Sequence, residues 1–351
     1  MESIVQKKPQ NILEKNFKAD PEKILNEALY KKFGDRFTKY RKQYFNLLDN
    51  KNEATLSPYP ITINIELLNR CNLECVMCPQ LYRNDAKKVG LSKKILEDLF
   101  LDFKINKLPA LMISVSEPLL YKDFEYVLKL AEKSEIMDIF FFTNGALLNK
   151  KNSEIILNST VSRMFVSLDA ATQKTYDEIR VPLAKRLLEE NRLDNVKNNI
   201  FNFIKMRNSK KKKLPITRVS FVALEQNLHE LEQFKKEWID IVDSVEFQME
   251  RPIEAYDKVK EDDFTILKKK DLKFKEYNCS KPLSDLTIYS DGTVAPCCAF
   301  LGRKAPVGNI YNNTIKEIWN GNKINIIRDS LQNNTPIEVC KTCLESNKSR
   351  I

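Results

Sequence analysis

Eight cysteines carry most of the chemistry that this 351-residue chain offers, and they fall into two groups. Cys71, Cys75 and Cys78 lie in NRCNLECVMCP with the spacing C-x3-C-x2-C, whereas Cys279, Cys297, Cys298, Cys340 and Cys343 lie near the other end of the sequence. Reducing thiol pools keep disulfides from persisting in the cytosol, so cysteines grouped in this way point to metal or catalytic thiols, most simply two separate metal sites. Three thiolates on one short loop reach a common centre. A structural zinc site closes on four ligands, usually supplied as two pairs, whereas a [4Fe-4S] cluster takes three thiolates and leaves its fourth iron open. The first group therefore predicts an iron-sulfur cluster with one open iron. Unpaired structural cysteines and a zinc site completed from elsewhere are the alternatives.

Cys279, Cys297, Cys340 and Cys343 supply four thiolates, the full complement of a cluster closed by protein ligands. A four-cysteine zinc ribbon is the alternative, because spacing alone does not separate zinc from iron-sulfur ligation. Cys298 is left over.

Other chemistries have few residues to draw on. The chain has one histidine, His229, in a helical pattern (NLHELEQF) where a surface or packing role is the plain reading. Ser-His-Asp triads and paired-His zinc sites are thereby excluded. The net charge of +10 is compatible with a phosphorylated substrate or an acidic protein partner. Its densest run, Lys210 to Lys213, reads as a solvated loop, and with no aromatic-interleaved basic motif nucleic-acid binding is not expected. No apolar run reaches the roughly 20 residues that span a bilayer, and the N-terminus lacks a secretory signal, so a cytoplasmic protein is expected.

The elements that must position the cysteines alternate from residue 61 onward. Short apolar or β-branched runs at 61–68, 111–117, 139–145, 163–169, 216–224 and 244–249 predict six strands, and the segments between them carry an apolar face at helical spacing. Right-handed βα crossovers then give a parallel sheet, as an open doubly wound sheet or as a partial (β/α) barrel. Ligands bind beyond the C-terminal strand ends in both, and the Cys71 group directly follows the first strand. Residues 1–58 are polar and lysine-rich, with two amphipathic stretches, PEKILNEALYKKF and FTKYRKQYFNLLD, that predict a helical N-terminal extension. LTIYSDGTVAPCC predicts a hairpin turning at Asp291-Gly292 and marks a cysteine-rich second unit over 251–351.

With the C-x3-C-x2-C loop after the first strand, residues 59–250 resemble the radical S-adenosylmethionine (SAM) enzymes. The resemblance implies a partial (β/α)6 TIM-like barrel in the α/β class. It also implies a [4Fe-4S] cluster whose open iron binds SAM, and one-electron cleavage of SAM to a 5'-deoxyadenosyl radical that abstracts hydrogen from substrate. Met77 stands where the family packs the adenine. Ser116, Glu117 and Pro118 resemble the Gly-Gly-Glu-Pro segment whose backbone and carboxylate meet the SAM ammonium. Ser114 and Ser116 stand where glycines are commoner, and their side chains would crowd the cofactor. The same resemblance places Ser167 and Asp169 at the barrel mouth and Arg180 on the SAM carboxylate, with turn and capping chemistry as the alternative for the first two. Asn227 holds a family polar position or neighbours a helix N-cap.

The C-terminal cysteines, with GNIYNNTIKEIWNG as a linker helix, resemble the shortened auxiliary-cluster domain called twitch, a relative of the SPASM domain, which implies one auxiliary [4Fe-4S] cluster. Cys298 is then either a hydrogen donor that quenches a substrate radical, giving epimerisation rather than dehydrogenation, or a buried small apolar residue. The expected substrate is a small molecule such as a sugar, aminocyclitol or nucleotide-sugar, with flavodoxin or ferredoxin as electron donor. A peptide-modifying maturase and a non-catalytic iron-sulfur electron-transfer protein are the rival readings.

Overall fold

Parallel pairing of consecutive strands decides the architecture. In the computed structural model, which describes residues 12–49, 56–82, 90–183, 192–250, 255–274 and 276–348, ten strands form one sheet. They are β1 (Ile12–Asn16), β2 (Thr62–Ile65), β3 (Ala110–Ile113), β4 (Asp138–Thr143), β5 (Arg163–Ser167), β6 (Ile216–Ala223), β7 (Ser244–Met249), β8 (Asp285–Ile288), β9 (Thr293–Ala295) and β10 (Gly308–Asn309). The order is β1-β7-β6-β5-β4-β3-β2-β8-β9-β10. From β2 to β7 each strand pairs in parallel with the next. A doubly wound sheet reverses its strand order at a switch point, and none exists among these six. Right-handed crossovers in one direction instead carry every helix over the same face, which is the winding of a barrel.

The two faces of the sheet differ accordingly. Ile63, Ile65, Leu111, Ile113, Ile139, Phe141, Met164, Val166, Val219, Phe221 and Val245 point under the helices and are fully buried there. The alternate positions point into the lumen and are mostly polar or aromatic: Asn64 on β2 and Glu66 just after it, Phe140 and Phe142 on β4, Phe165 and Ser167 on β5, Arg218 and Ser220 on β6, Glu246 and Gln248 on β7, with Met112 on β3 apolar. Phe140, Phe142, Phe165, Ser167, Arg218 and Gln248 are only half-buried, so the lumen is accessible at that level.

The N-terminal extension closes the other end. Its helices, Pro21–Phe33 and Asp35–Asp49, pack Leu25, Leu29, Phe37 and Tyr40 against Ile61, Ala110, Met137 and Ile216, at the points where β2, β3, β4 and β6 begin. A helical extension was expected, and the structure departs from that at Ile12–Asn16, where β1 runs antiparallel along β7. Its backbone satisfies the N–H and C=O groups that an edge strand leaves open, a demand made by the sheet and not by local propensity.

The hairpin forms at the expected place. Gly292 adopts φ +86, its N–H bonds Tyr289 O at 2.9 Å, and Asp291, outside the left-handed region, accepts from Thr293 N at 3.0 Å and Arg303 at 2.6 Å. Its first strand, β8, pairs in parallel with β2, so the cysteine-rich unit continues the barrel sheet. Among the described residues no helix is long and apolar enough to cross a membrane. Residues 1–11, the segment read as lacking a signal, lie outside the described residues, as do 50–55 and 184–191.

A buried latch joins extension to barrel. Asp138, fully buried, accepts from Tyr40 Oη at 3.0 Å and Ser162 Oγ at 2.6 Å and pairs with Arg163, which also reaches Glu22 at 3.5 Å. Removing one partner of a buried pair strands the other charge, at a cost of about 3–5 kcal/mol, whereas a single neutral hydrogen bond contributes about 1 kcal/mol. Asp138→Ala is thus expected to destabilise the chain several times more than Tyr40→Phe. Equal shifts in urea unfolding would show that Arg163 is not stranded.

Candidate metal centre and cofactor site

The Cys71 loop is held in place by the far side of the barrel mouth. Glu74 N bonds Val181 O (2.7 Å), Val76 N bonds Ile179 O (3.1 Å) and Leu183 N bonds Asn72 O (3.0 Å), so the loop is zipped along the segment after the helix Gln173–Ile179. Cys78 N turns back to Cys75 O at 2.8 Å, which folds Cys78 towards Cys75, and Cys71 is close enough to both to act on their charge. Asn144, at the end of β4, donates to Asn72 Oδ1 at 2.7 Å and stands 3.8 Å from Cys71 Sγ.

Electrostatics at the loop favour a bound cation. Burial pushes the Cys71 thiol up to about 11 and Cys78 to about 12, and it raises Cys75 as well, with neighbouring cysteines adding to the effect at Cys71 and Cys78. Three thiolates in such a place need positive charge beside them. Arg180 supplies one guanidinium, 3.5 Å from Cys75 Sγ; iron would supply the rest. The donor set therefore fits a cluster held by Cys71, Cys75 and Cys78. No three His, Cys, Asp or Glu side chains among the described residues converge on a single-ion site, so the assignment rests on the number and placement of thiols.

Several residues expected around the cofactor are engaged elsewhere. Arg180 pairs with fully buried Asp169; although burial works against its charge, Asp169 and Cys75 keep its pKa raised. It braces the cysteine loop, with its Nε left without a partner. Asp169 adopts φ +62 and accepts from Val222 N at 2.8 Å, tying β5 to β6. Asn227, also buried, donates to Asp169 O and Val222 O (both 2.9 Å) and makes no capping bond. Glu117 is 2% exposed, accepting from Leu119 N, Thr143 Oγ1 and Asn144 N at 3.1, 2.9 and 2.7 Å; burial raises its pKa to about 7 against these bonds. Its oxygens organise the ends of β3 and β4. Met77 is half-buried within the loop, Ser167 faces the lumen, and His229 is exposed.

Ser114 and Ser116 do not stand as loose bulk over the site. Ser114 Oγ donates to Asn64 Oδ1 (2.9 Å), and Ser116 Oγ donates to Glu66 Oε1 (3.0 Å) while accepting from Gln80 Nε2 (2.5 Å). The left-handed backbone that glycine would supply falls between them, on Val115, at φ +80. Glu66 also accepts from Ser290 N and Oγ at 3.1 and 2.9 Å, which links this segment to the hairpin turn. Glu66 and Asn144 were not singled out as site residues from the sequence. The signal for Glu66 was the polar alternation Thr62, Asn64, Glu66 in a run otherwise apolar.

The second group gathers at the opposite strand ends. Because β9 runs antiparallel to β8, Cys297 and Cys298 return to the level where β2 begins. A four-residue strand spans about 13 Å, which separates the level of Cys297 and Cys298 from the end of β2 that leads into the Cys71 loop. Cys279 precedes the short helix Lys281–Ser284, and Cys340 and Cys343 share one face of Glu338–Lys348. Burial raises the Cys297 and Cys340 thiols well above their usual range, with Cys279 and Cys343 adding charge at both. A Cβ on Gly302 would stand 2.8 Å from Cys297 Sγ, so the loop packs tightly on that sulfur. Four half-buried thiols fit a closed cluster. Cys298 is half-buried near Lys281 and Cys297.

Residues 65–237 match the radical SAM superfamily and residues 279–344 match the SPASM iron-sulfur cluster-binding domain. The chain belongs to the radical SAM superfamily. Membership implies a [4Fe-4S] cluster with SAM, and the SPASM match implies auxiliary iron-sulfur ligation. The GTP 3',8-cyclase of Thermodesulfovibrio yellowstonii is 32% identical over 145 residues, 39% of this chain and 43% of that protein. A protein of Methanococcus vannielii named Probable GTP 3',8-cyclase is 30% identical over 121 residues, 34% of this chain and 39% of its own length. This chain thus spans about two-fifths of the curated relatives it matches. Streptococcus suis SuiB bound to the precursor peptide SuiA shares the fold at a TM-score of 0.54 and 18% identity, covering 88% of this chain and 76% of SuiB. anSMEcpe with bound AdoMet does so at 0.54 and 16%, covering 78% and 84%.

Replacing Cys71, Cys75 and Cys78 together by Ala is expected to remove roughly half of the iron of anaerobically reconstituted protein and leave the remainder bound by the C-terminal thiols. Unchanged iron content would contradict the ligand assignment. A β-branched residue at positive φ stores on the order of 1–3 kcal/mol, so Val115→Gly is expected to be neutral or stabilising in thermal unfolding despite its lost side chain.

Proposed function

We propose that this protein is a cytoplasmic radical SAM enzyme acting on a small molecule, with a sugar, aminocyclitol or nucleotide-linked sugar as substrate class and dehydrogenation or epimerisation as outcome. One observation carries the reading: a loop of three gathered thiols caps the C-terminal end of a parallel barrel whose lumen beneath it is polar, aromatic and half-open, and whose other end is plugged. Such a chamber shields a reactive species from water. The curated relatives named as GTP 3',8-cyclases support a small phosphorylated substrate, as does the basic net charge.

When bound, the cluster at Cys71, Cys75 and Cys78 supplies one-electron reductive cleavage of SAM. The chain's own residues prepare the site. Arg180 and Asp169 brace Cys75, Glu117 ties the strand ends that flank the loop, and the extension closes the floor. The four C-terminal thiols would hold one auxiliary cluster, which would supply one-electron redox chemistry there. The exposed lysines suit docking of an acidic flavodoxin or ferredoxin as electron donor.

Reconstituted protein with a reductant and SAM is expected to form 5'-deoxyadenosine and methionine, and Cys75→Ala to form neither. A wild-type chain that forms none is the non-catalytic iron-sulfur protein. Running sugars, nucleotide-sugars and peptides with deuterium at candidate positions identifies the substrate by label transfer to deoxyadenosine, and label from a peptide alone would replace this reading with that of a maturase. Cys298→Ala is expected to abolish an epimerisation and leave a dehydrogenation intact. Epimerisation that survives it removes Cys298 as donor.

A further inference from the structure

Arg218 is a charged side chain in the lumen with too few partners. It projects from β6 with Cζ 3.8 Å from the centroid of Phe165 and 5.9 Å from that of Phe142. A guanidinium carries five N–H donors. Among the described residues Glu246 Oε2 is its one hydrogen-bond acceptor, at 2.7 Å, and Nε is buried with none. Next along the same face of β6, Ser220 is 5% exposed and its Oγ also lacks a partner. Buried polar groups are ordinarily satisfied, so two orphans side by side on a lumen wall mark a place completed by something outside the chain.

The contrast with Arg163 sharpens the point. That residue also lies over a lumen phenylalanine, Phe140, at 4.9 Å, but both Asp138 and Glu22 meet it. The burial of Arg218 and the positive charge of Arg163 both weigh against charge on Arg218; Glu246 and, less strongly, Glu22 work the other way without restoring its usual pKa. Phe142 precedes by two residues Asn144, which touches Cys71, so Arg218 sits roughly 7 Å below the cysteine loop along the strand direction. A ligand held there lies directly beneath the cluster site.

We infer that Arg218, with Ser220 beside it and Phe142 and Phe165 as an apolar wall, is the anchor for an oxyanion of the substrate, a phosphate or a carboxylate. This rests on the reading of the lumen as the substrate chamber and narrows the substrate to an anionic small molecule. Glu246 occupies one edge of the guanidinium and tempers its attraction, which leaves the remaining donors for a planar or tetrahedral anion.

Isothermal titration of the reconstituted holo-protein, saturated with SAM and without reductant, tests this with inorganic phosphate and, separately, acetate. One saturable site is expected for at least one of them, and which one distinguishes a phosphorylated from a carboxylated substrate. Glu246→Gln is expected to tighten binding by about fivefold or more by freeing the guanidinium. The charge-neutral pair Arg218→Gln with Glu246→Gln avoids a stranded charge, keeps the melting temperature, and is expected to lose the site. Binding that persists in the double variant, weakens in Glu246→Gln, or is absent for both anions overturns the assignment. The titration needs no turnover, so a wild-type chain that forms no deoxyadenosine sinks the proposed reaction separately from this result.

Discussion

Desolvated charge at the mouth of the barrel is the constraint on which the rest depends. Three thiols, Glu117 and Asp169 are gathered where β2, β3, β4 and β5 end, and among the described residues Arg180 is the one guanidinium that touches both a thiol and a carboxylate there. Burial of so many acids is tolerable only if cations or N–H donors meet them. Arg180 and backbone amides meet the carboxylates. The thiols are left to be met by metal, which is the physical sense in which this loop is built for a cluster.

Around that constraint the barrel divides its two ends and its two faces. One face of the sheet buries aliphatic and aromatic side chains under helices and supplies the stability. The other is given over to polar and aromatic groups around a lumen, which a close-packed protein of this size would otherwise fill. The extension and the returning hairpin both contact the strand starts, so the floor of the chamber and the second cysteine group are assembled by segments far apart in sequence. Glu66 ties this arrangement together, bonding the segment after β3 through Ser116 and the hairpin turn through Ser290.

Much of this was legible beforehand because the signals are local. Six strands, the helices between them and the Asp291-Gly292 turn follow from side-chain period and turn chemistry, which neighbouring residues determine. β1 was not legible: Ile12–Asn16 has no strong alternation of its own and is a strand because β7 offers an open edge. The positive φ at Val115 was not legible for a similar reason, since the demand for it comes from how the segment after β3 meets β2 and not from the residue that satisfies it.

By itself the sequence determined the count and spacing of the thiols, and hence the chemistry available, because ligand number is a property of composition. Only the tertiary structure decided which polar groups are free to act. Arg180 and Glu117, expected at the cofactor from the sequence, also hold the strand ends together, and Arg218, one residue within an ordinary strand run, emerges as a lumen cation with one acceptor among the described residues. Hydrogen-bond partners across a barrel come from other strands, 27 positions away for Glu117 and Asn144 and 28 for Arg218 and Glu246, and no local pattern records whether a donor will find one.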